Sequence, residues 1–307
     1  MKNKFSFIFP GQGSQTVGMG KELVENFIIA RDIFNQANSM LDFDLKQVCF
    51  QGPEAKLNNT KYTQPAIYTV SYIIHQILIN NNIKPDIVAG HSLGEYSALA
   101  AAEAFKFKDG LELVSKRGKL MAAASKEKGT MAAILGLQVE KINSIYEQIP
   151  GILETANYNT PSQIVISGQK EAVLEGMELA EELGAKKTVE LNVSGAFHSS
   201  LMAPVQEDLR STIEKIKIND PKTPVVLNVS AKAVTKKAEI KKELLLQLTN
   251  SVNWVDSVNL MIDRGINDFI EVGPGRVLKG LMRRIDRSVN CSTTNNIKQI
   301  NKLINNE

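Results

Sequence analysis

Residues 87–95 read Ile87-Val88-Ala89-Gly90-His91-Ser92-Leu93-Gly94-Glu95, and their order decides the fold class. An apolar run ends in G-x-S-x-G and passes directly into a helix-forming stretch from Glu95 to Ala104. A strand that turns this sharply into a helix lifts its turn residue clear of the sheet. Glycines at Gly90 and Gly94 remove the Cβ atoms that would clash in such a turn. The Ser92 hydroxyl then stands beside the first free N–H groups of the helix, where a developing oxyanion can be held. The context predicts an α/β protein with Ser92 as its nucleophile. The competing reading of the same turn is a serine that only caps the helix.

The bulk composition narrows the class. With 307 residues the chain has room for one large domain or two smaller ones, and 43% hydrophobic content suffices for a sizeable core. Lys and Arg number 36 against 33 Asp and Glu, a net charge of +3 that argues against a nucleic-acid binder. Cys49 and Cys291 form no C-x-x-C and only three histidines occur, so no metal centre is expected. No apolar run approaches membrane-spanning length. Phe5-Ser6-Phe7-Ile8-Phe9 already reads as a buried strand, so no leader is expected and the cytoplasm is the expected compartment.

That first strand runs into Pro10-Gly11-Gln12-Gly13-Ser14-Gln15. A Gly-rich loop after a strand suggests phosphate binding, but Thr16 stands where a dinucleotide fingerprint needs its third glycine. Met19 stands where a Walker A loop needs lysine. The loop is better suited to bring backbone and a glutamine amide close to a neighbouring site. Residues 66–83 and 110–124 read as helices. In the second, Leu113, Val114, Leu120, Met121 and Ala124 share a stripe at about 100° per residue, and Arg117 lies in its middle. A guanidinium on a core face needs a carboxylate, from the protein or from a ligand.

From Thr130 the character changes. Strands at 130–137, 153–157, 163–167 and 186–193 alternate with helices at 140–149 and 170–183 in the order β-α-β-β-α-β, the split βαβ pattern of ferredoxin-like domains. Residues 128–196 are therefore expected to form a ferredoxin-like insert within a larger body with a parallel sheet, made of 1–127 and 197–307. Further strands are expected at 224–229 and 268–272. The Asn-rich tail from Ser288 has little to hold it beyond a short helix at 297–304.

A serine hydroxyl needs a neighbouring base. His75 sits among Ile73, Ile74, Ile77 and Leu78 and reads as a packed histidine; His91, next to Ser92, reads as a brace of the turn. His198, in Ser194-Gly195-Ala196-Phe197-His198-Ser199-Ser200 where the insert rejoins the body, is the base by elimination. No residue is singled out by spacing as the group that orients it.

Five motifs now stand in order: Phe9-Pro10-Gly11-Gln12-Gly13-Ser14-Gln15, Gly90-His91-Ser92-Leu93-Gly94-Glu95-Tyr96, Lys116-Arg117-Gly118, the loop ending in His198, and Glu271-Val272-Gly273-Pro274-Gly275. Over residues 4–290 the chain resembles the malonyl-CoA:acyl carrier protein transacylases of bacterial type II fatty-acid synthesis. It is also similar to the acyltransferase domains of polyketide synthases. The resemblance implies an α/β-hydrolase-like body, a Ser92–His198 dyad without a third acid, and an oxyanion hole from Gln12 and the N–H of Leu93. It further implies that Arg117 clamps the free carboxylate of a malonyl group, that a carbonyl at Gln247 orients the histidine, and that Phe197 and His91 border the substrate pocket. Many free-standing members carry Ser-His where this chain has Phe197-His198; the Ala-Phe-His version resembles malonyl-selective polyketide acyltransferases.

The resemblance also implies malonyl-CoA as substrate with no permanently bound cofactor, acyl carrier protein as partner, and neither nucleic acid nor membrane. A monomer is expected, serving fatty-acid synthesis because the chain stands alone. On the helix after Gly275, Arg276, Lys279, Arg283 and Arg287 fall within about 80° of one another, either a solvated face or a docking surface for the acidic carrier. Two rivals remain: a serine thioesterase or carboxylesterase sharing elbow and base, and a silent carrier-binding module.

Overall fold

The computed structural model describes residues 4–124, 129–193 and 195–305. Ser194 of the loop before His198, and the boundary expected at 127/128, lie outside the described residues. Strand β1 (Phe5–Phe9) is followed by helices α1 (Lys21–Asn26), α2 (Ile28–Met40), α3 (Leu45–Gln51), α4 (Glu54–Leu57) and the long α5 (Thr60–Asn80). Then come β2 (Ile87–Gly90), α6 (Leu93–Ala101) and α7 (Phe107–Ala124). The next segment holds β3 (Gly129–Leu135), α8 (Val139–Tyr146), β4 (Leu153–Thr160), β5 (Gln163–Gln169), α9 (Lys170–Glu182) and β6 (Lys187–Glu190). The chain continues through α10 (Ala203–Lys215), β7 (Val225–Val226), β8 (Ala233–Val234), α11 (Lys237–Leu246) and α12 (Trp254–Asp263). It closes with β9 (Asp268–Glu271), α13 (Val277–Ile285), β10 (Asn290–Thr293) and α14 (Ile297–Asn305).

Two sheets result. The larger has the order β10-β9-β1-β2-β7-β8, parallel except for the β7–β8 pair. Its central strand is apolar on both faces, as a sheet covered by helices on both sides requires. Phe7 and Phe9 pack with residues of α5, α6 and α7, while Ile8 packs with Trp254, Val258 and Met261 of α12 and Leu278 of α13. Both oxygens of the buried Glu271, at the end of β9, accept from the N–H groups of Leu278 and Lys279 at 2.9 Å. A strand carboxylate thus satisfies the first free amides of α13 and fixes it to the sheet.

The smaller sheet, order β4-β5-β3-β6, is antiparallel and covered by α8 and α9 through Ile142, Ile145, Val173 and Ala180. This is the ferredoxin-like arrangement that the β-α-β-β-α-β order predicts. β4 reaches the body: Tyr158 N donates to Val252 O at 3.0 Å and Val252 N donates to Ala156 O at 2.8 Å.

Boundaries differ from the pattern in places. α5 begins at Thr60, with Pro65 inside it, because the Asn59 side chain accepts from Lys61 N and caps the helix earlier. The strand expected at 224–229 keeps only Val225–Val226, since the chain turns at once into the β7–β8 hairpin. The tail is better held than its composition suggests. Asn290–Thr293 pairs in parallel with β9 as the edge strand β10, and Ile300 of α14 is fully buried. Ladder hydrogen bonds are made by backbone, so polar side chains do not prevent an edge strand.

At the end of β2 the two glycines have the crowding that the motif predicts. A Cβ on Gly90 would lie 2.0 Å from the Gly94 carbonyl, and one on Gly94 would lie 2.0 Å from Phe9 O. Neither neighbour is a side chain able to move aside. Gly94→Ala should therefore cost about 3 kcal/mol or more, read as a lower midpoint in urea denaturation; an unchanged midpoint would show that the turn tolerates displacement.

Candidate active site

Ser92 sits between β2 and α6 with φ 50 and ψ −105, a left-handed conformation that costs a non-glycine residue about 1–3 kcal/mol. His91 N donates to Phe9 O at 3.0 Å, so the Gln12 loop that follows β1 lies beside the elbow. Ser92 Oγ donates to His198 Nε2 at 2.8 Å. The other ring nitrogen, Nδ1, lies 2.8 Å from Gln247 O and 3.2 Å from Asn250 O. Carbonyl oxygens only accept, so Nδ1 carries the proton and the Nε2 lone pair faces the serine. Among the described residues no carboxylate takes part in this arrangement.

His198 is buried, and burial first, then the Arg117 guanidinium, push it down to about 3. The imidazole is therefore neutral near pH 7 and free to accept a proton. His75, buried in α5 against Phe7 and Phe9, is pushed down to about 4 by the same desolvation and lies among packed rings. His91 Nε2 meets Asn159 Oδ1 at 2.7 Å, and its ring stands edge-on to Trp254.

Arg117 reaches this centre from α7 and is 1% exposed, the core-facing position that its stripe predicts. Its Nη2 donates to Ser92 Oγ and to Gln247 Oε1, both at 3.2 Å. The guanidinium carbon stands 5.3 Å from the centre of the Tyr96 ring, a cation–π contact. Among the described residues no carboxylate lies within ion-pair distance of Arg117, and its Nε has no hydrogen-bond partner. Of the two possible sources of a counter-charge, the protein supplies none here.

Leu93 is the first residue of α6, so its N–H is one of the amides that the helix cannot satisfy. The Gln12 side chain donates to Thr60 Oγ1 at 3.2 Å, which holds the loop against the start of α5. Phe197, 5% exposed, packs into the main core next to His198. Arg276, Lys279, Arg283 and Arg287 are exposed along and beside α13, with Asp286 among them.

Two further buried residues join the site. Asn228, just after β7, accepts from Ser92 N and donates to Gly90 O. Glu95, on the first turn of α6 and fully buried, accepts from Asn228 N at 2.6 Å. Glu95 had a signal: a carboxylate inside a helix otherwise built of small and apolar residues raises the same question as Arg117. Asn228 had none, because only the pairing of β2 with β7 brings it to the elbow.

The body, the strand–helix elbow and the imidazole on its hydroxyl define an α/β enzyme of the serine acyl-transfer class. A model of the acyl transferase domain matches residues 6–302. The chain is 44% identical over 289 residues to the malonyl CoA-acyl carrier protein transacylase of Bacillus subtilis (strain 168), covering 93% of this chain and 91% of that one. The solved transacylase of Coxiella burnetii superposes with TM-score 0.96 at 38% identity, over 99% of this chain and 97% of that one. A malonyl-transacylase solved in complex with its type II polyketide acyl carrier protein gives TM-score 0.96 at 37% identity, over 99% and 100%. The chain belongs to the malonyl CoA-acyl carrier protein transacylase family.

Burial above all pushes Glu95 up to about 8 from an ordinary 4.5. An acid whose folded value is raised favours folding fully below its ordinary value and loses that contribution as pH rises through the folded value. Glu95→Gln keeps an oxygen for the Asn228 N–H and removes the loss. Its urea midpoint relative to wild type should therefore increase between about pH 5 and about pH 9; a constant difference would show that Glu95 does not titrate in this window.

Proposed function

We propose that the chain transfers a malonyl group from malonyl-CoA to the phosphopantetheine thiol of acyl carrier protein through a malonyl-Ser92 ester. The observation that carries this reading is the buried Arg117, which reaches the Ser92 hydroxyl and has no ion pair among the described residues. An acyl chain ending in a carboxylate would supply the missing charge at the distance where its thioester meets Oγ. A bidentate arginine–carboxylate pair fixes orientation as well as charge.

In the first half-reaction the Ser92 proton passes to His198 Nε2 as Oγ attacks the thioester carbonyl. The tetrahedral oxyanion is held by the backbone N–H groups of Gln12 and Leu93. The C–S bond breaks, and the CoA sulfur leaves with the proton from His198. In the second, the carrier thiol gives its proton to His198 and attacks the ester; Ser92 Oγ leaves and takes the proton back. Pairing of Arg117 with the malonyl carboxylate offsets the guanidinium charge that, after burial, weakens His198 as a base. The protein holds the histidine by main-chain carbonyls, so no third acid is needed.

Residues 128–196 are read as a unit that walls one side of the entrance, through the contact of β4 with Val252. The exposed α13 cations are read as a docking face for the acidic carrier, and the protein as a cytoplasmic monomer without a resident cofactor. Among the described residues no helix is long and apolar enough to cross a membrane.

Labelled malonyl-CoA should leave one label on the protein, lost in Ser92→Ala and discharged by holo acyl carrier protein. Release of free malonate instead would identify an esterase, and no label a non-catalytic module. Arg117→Ala should lower malonylation on the order of 100-fold or more, as the loss of a buried ionic partner implies, with a relative gain on acetyl-CoA. Phe197 should disfavour a methyl group on the malonyl α-carbon. An overpacking cost of about 1–3 kcal/mol lowers kcat/KM for methylmalonyl-CoA about five- to 150-fold; equal kcat/KM values would remove this role. Lys279→Glu should slow association with the carrier and flatten its salt dependence; a change in thermal stability alone would leave the stripe as a solvated face.

A further inference from the structure

Two side-chain amides hold the backbone of Ser92, one at its N–H and one at its carbonyl. Asn228 Oδ1 accepts from Ser92 N at 2.8 Å and Asn228 Nδ2 donates to Gly90 O at 2.6 Å. Gly90 O and Ser92 N straddle His91, and a single residue bonded to such a pair is the pattern of a parallel β-ladder. The register that sets Val88 against Val225 and Ala89 against Val226 brings residue 228 alongside the elbow. Its main chain has by then turned away: Asn228 N donates to Glu95 Oε2 and Asn228 O accepts from Asn253 N. The carboxamide therefore stands in for a peptide group and extends the ladder past the point where the strands part. Only a side chain with one donor and one acceptor at this reach makes both bonds.

Gln247, fully buried at the end of α11, holds the Ser92 carbonyl. Its Nε2 donates to Ser92 O at 3.0 Å, its Oε1 accepts from Arg117, and its backbone oxygen faces His198 Nδ1. One residue thus touches the nucleophile, the guanidinium and the base. The two carboxamides also approach each other, Gln247 Nε2 to Asn228 Oδ1, at 3.5 Å.

We infer that Asn228 and the Gln247 side chain form a carboxamide clamp that keeps Ser92 in its left-handed turn and sets its distance to His198 and Arg117. Both are positioning residues; neither is assigned contact with the acyl group. The inference rests on the reading of Ser92 as nucleophile and deepens it. The two halves of the clamp have different signatures. The Asn228 side chain bonds the elbow backbone and makes no hydrogen bond to Arg117, so its loss lowers the acylation rate and leaves substrate affinity. Gln247 bears also on Arg117, so its loss raises KM for malonyl-CoA, while the backbone carbonyl on His198 is retained.

The test is rapid-mixing malonylation of wild type, Asn228→Ala, Asn228→Asp and Gln247→Ala. Each protein is first checked for a cooperative denaturation transition. A small misplacement of a reacting group costs on the order of 100-fold in rate. Asn228→Ala and the near-isosteric Asn228→Asp should both show this loss with KM within about twofold of wild type. Gln247→Ala should raise KM by more than its kcat falls. The same four proteins are labelled with a small fluorophosphonate, which reports Ser92 reactivity whatever the natural acyl group is. A wild type that reacts with fluorophosphonate but takes no malonyl sinks the malonyl reading and leaves the clamp decided by the fluorophosphonate rates. Folded Asn228 variants that label at the wild-type rate overturn the clamp. So does failure of both variants to fold, which would make Asn228 a fold residue only.

Discussion

The crossing of backbone at Phe9, Gly90 and Gly94 is the constraint from which the rest of the site follows. With no Cβ at either glycine, α6 starts directly against the ends of β1 and β2. Ser92 then has to turn into a left-handed conformation to connect strand and helix, and that turn throws its hydroxyl outward beside the unsatisfied amide of Leu93. Because β1, β2 and β7 are parallel, the loops carrying Gln12, Ser92 and Asn228 leave from one edge of the sheet. A chain that had only the serine motif, without that common edge, would have a reactive residue with nothing gathered around it.

What could be read beforehand divides along the range of the interactions. The elbow is local, since five consecutive residues carry both the turn and its crowding. The insert was legible because two periodicities alternate over a short span, and its sheet order follows from the element order. Arg117 was legible as a problem, a charge on an apolar stripe, though the stripe left open which carboxylate solves it. His198 came by elimination among three histidines. Spacing could not find the group that orients it, because the main-chain oxygens of Gln247 and Asn250 belong to every residue type; only the family resemblance pointed to Gln247. Asn228 was hidden for a related reason. Its role comes from the register of a two-residue strand that pairs 137 positions away from its partner. The edge strand at Asn290–Thr293 escaped because polar side chains mask a backbone that pairs regardless.

The electrostatics of the centre are incomplete as the protein alone sets them. Arg117 is desolvated, has no partner on Nε among the described residues, and depresses the imidazole bonded to the Ser92 hydroxyl. Glu95 favours the charged form of Arg117, but burial favours the protonated state of Glu95, and one of its oxygens is bonded to Asn228 N. Burying a cation beside the Ser92 hydroxyl while the nearby acid stays neutral costs several kcal/mol. That cost is recovered when an anion enters. On the malonyl reading the substrate brings the anion at the moment of reaction, so the same carboxylate that is recognised also restores the strength of the base. An acyl group without it would meet an arginine still bonded to Ser92 Oγ and a histidine still weakened. Selectivity then acts on the chemical step as well as on binding, which is where differential stabilisation of a transition state has its effect.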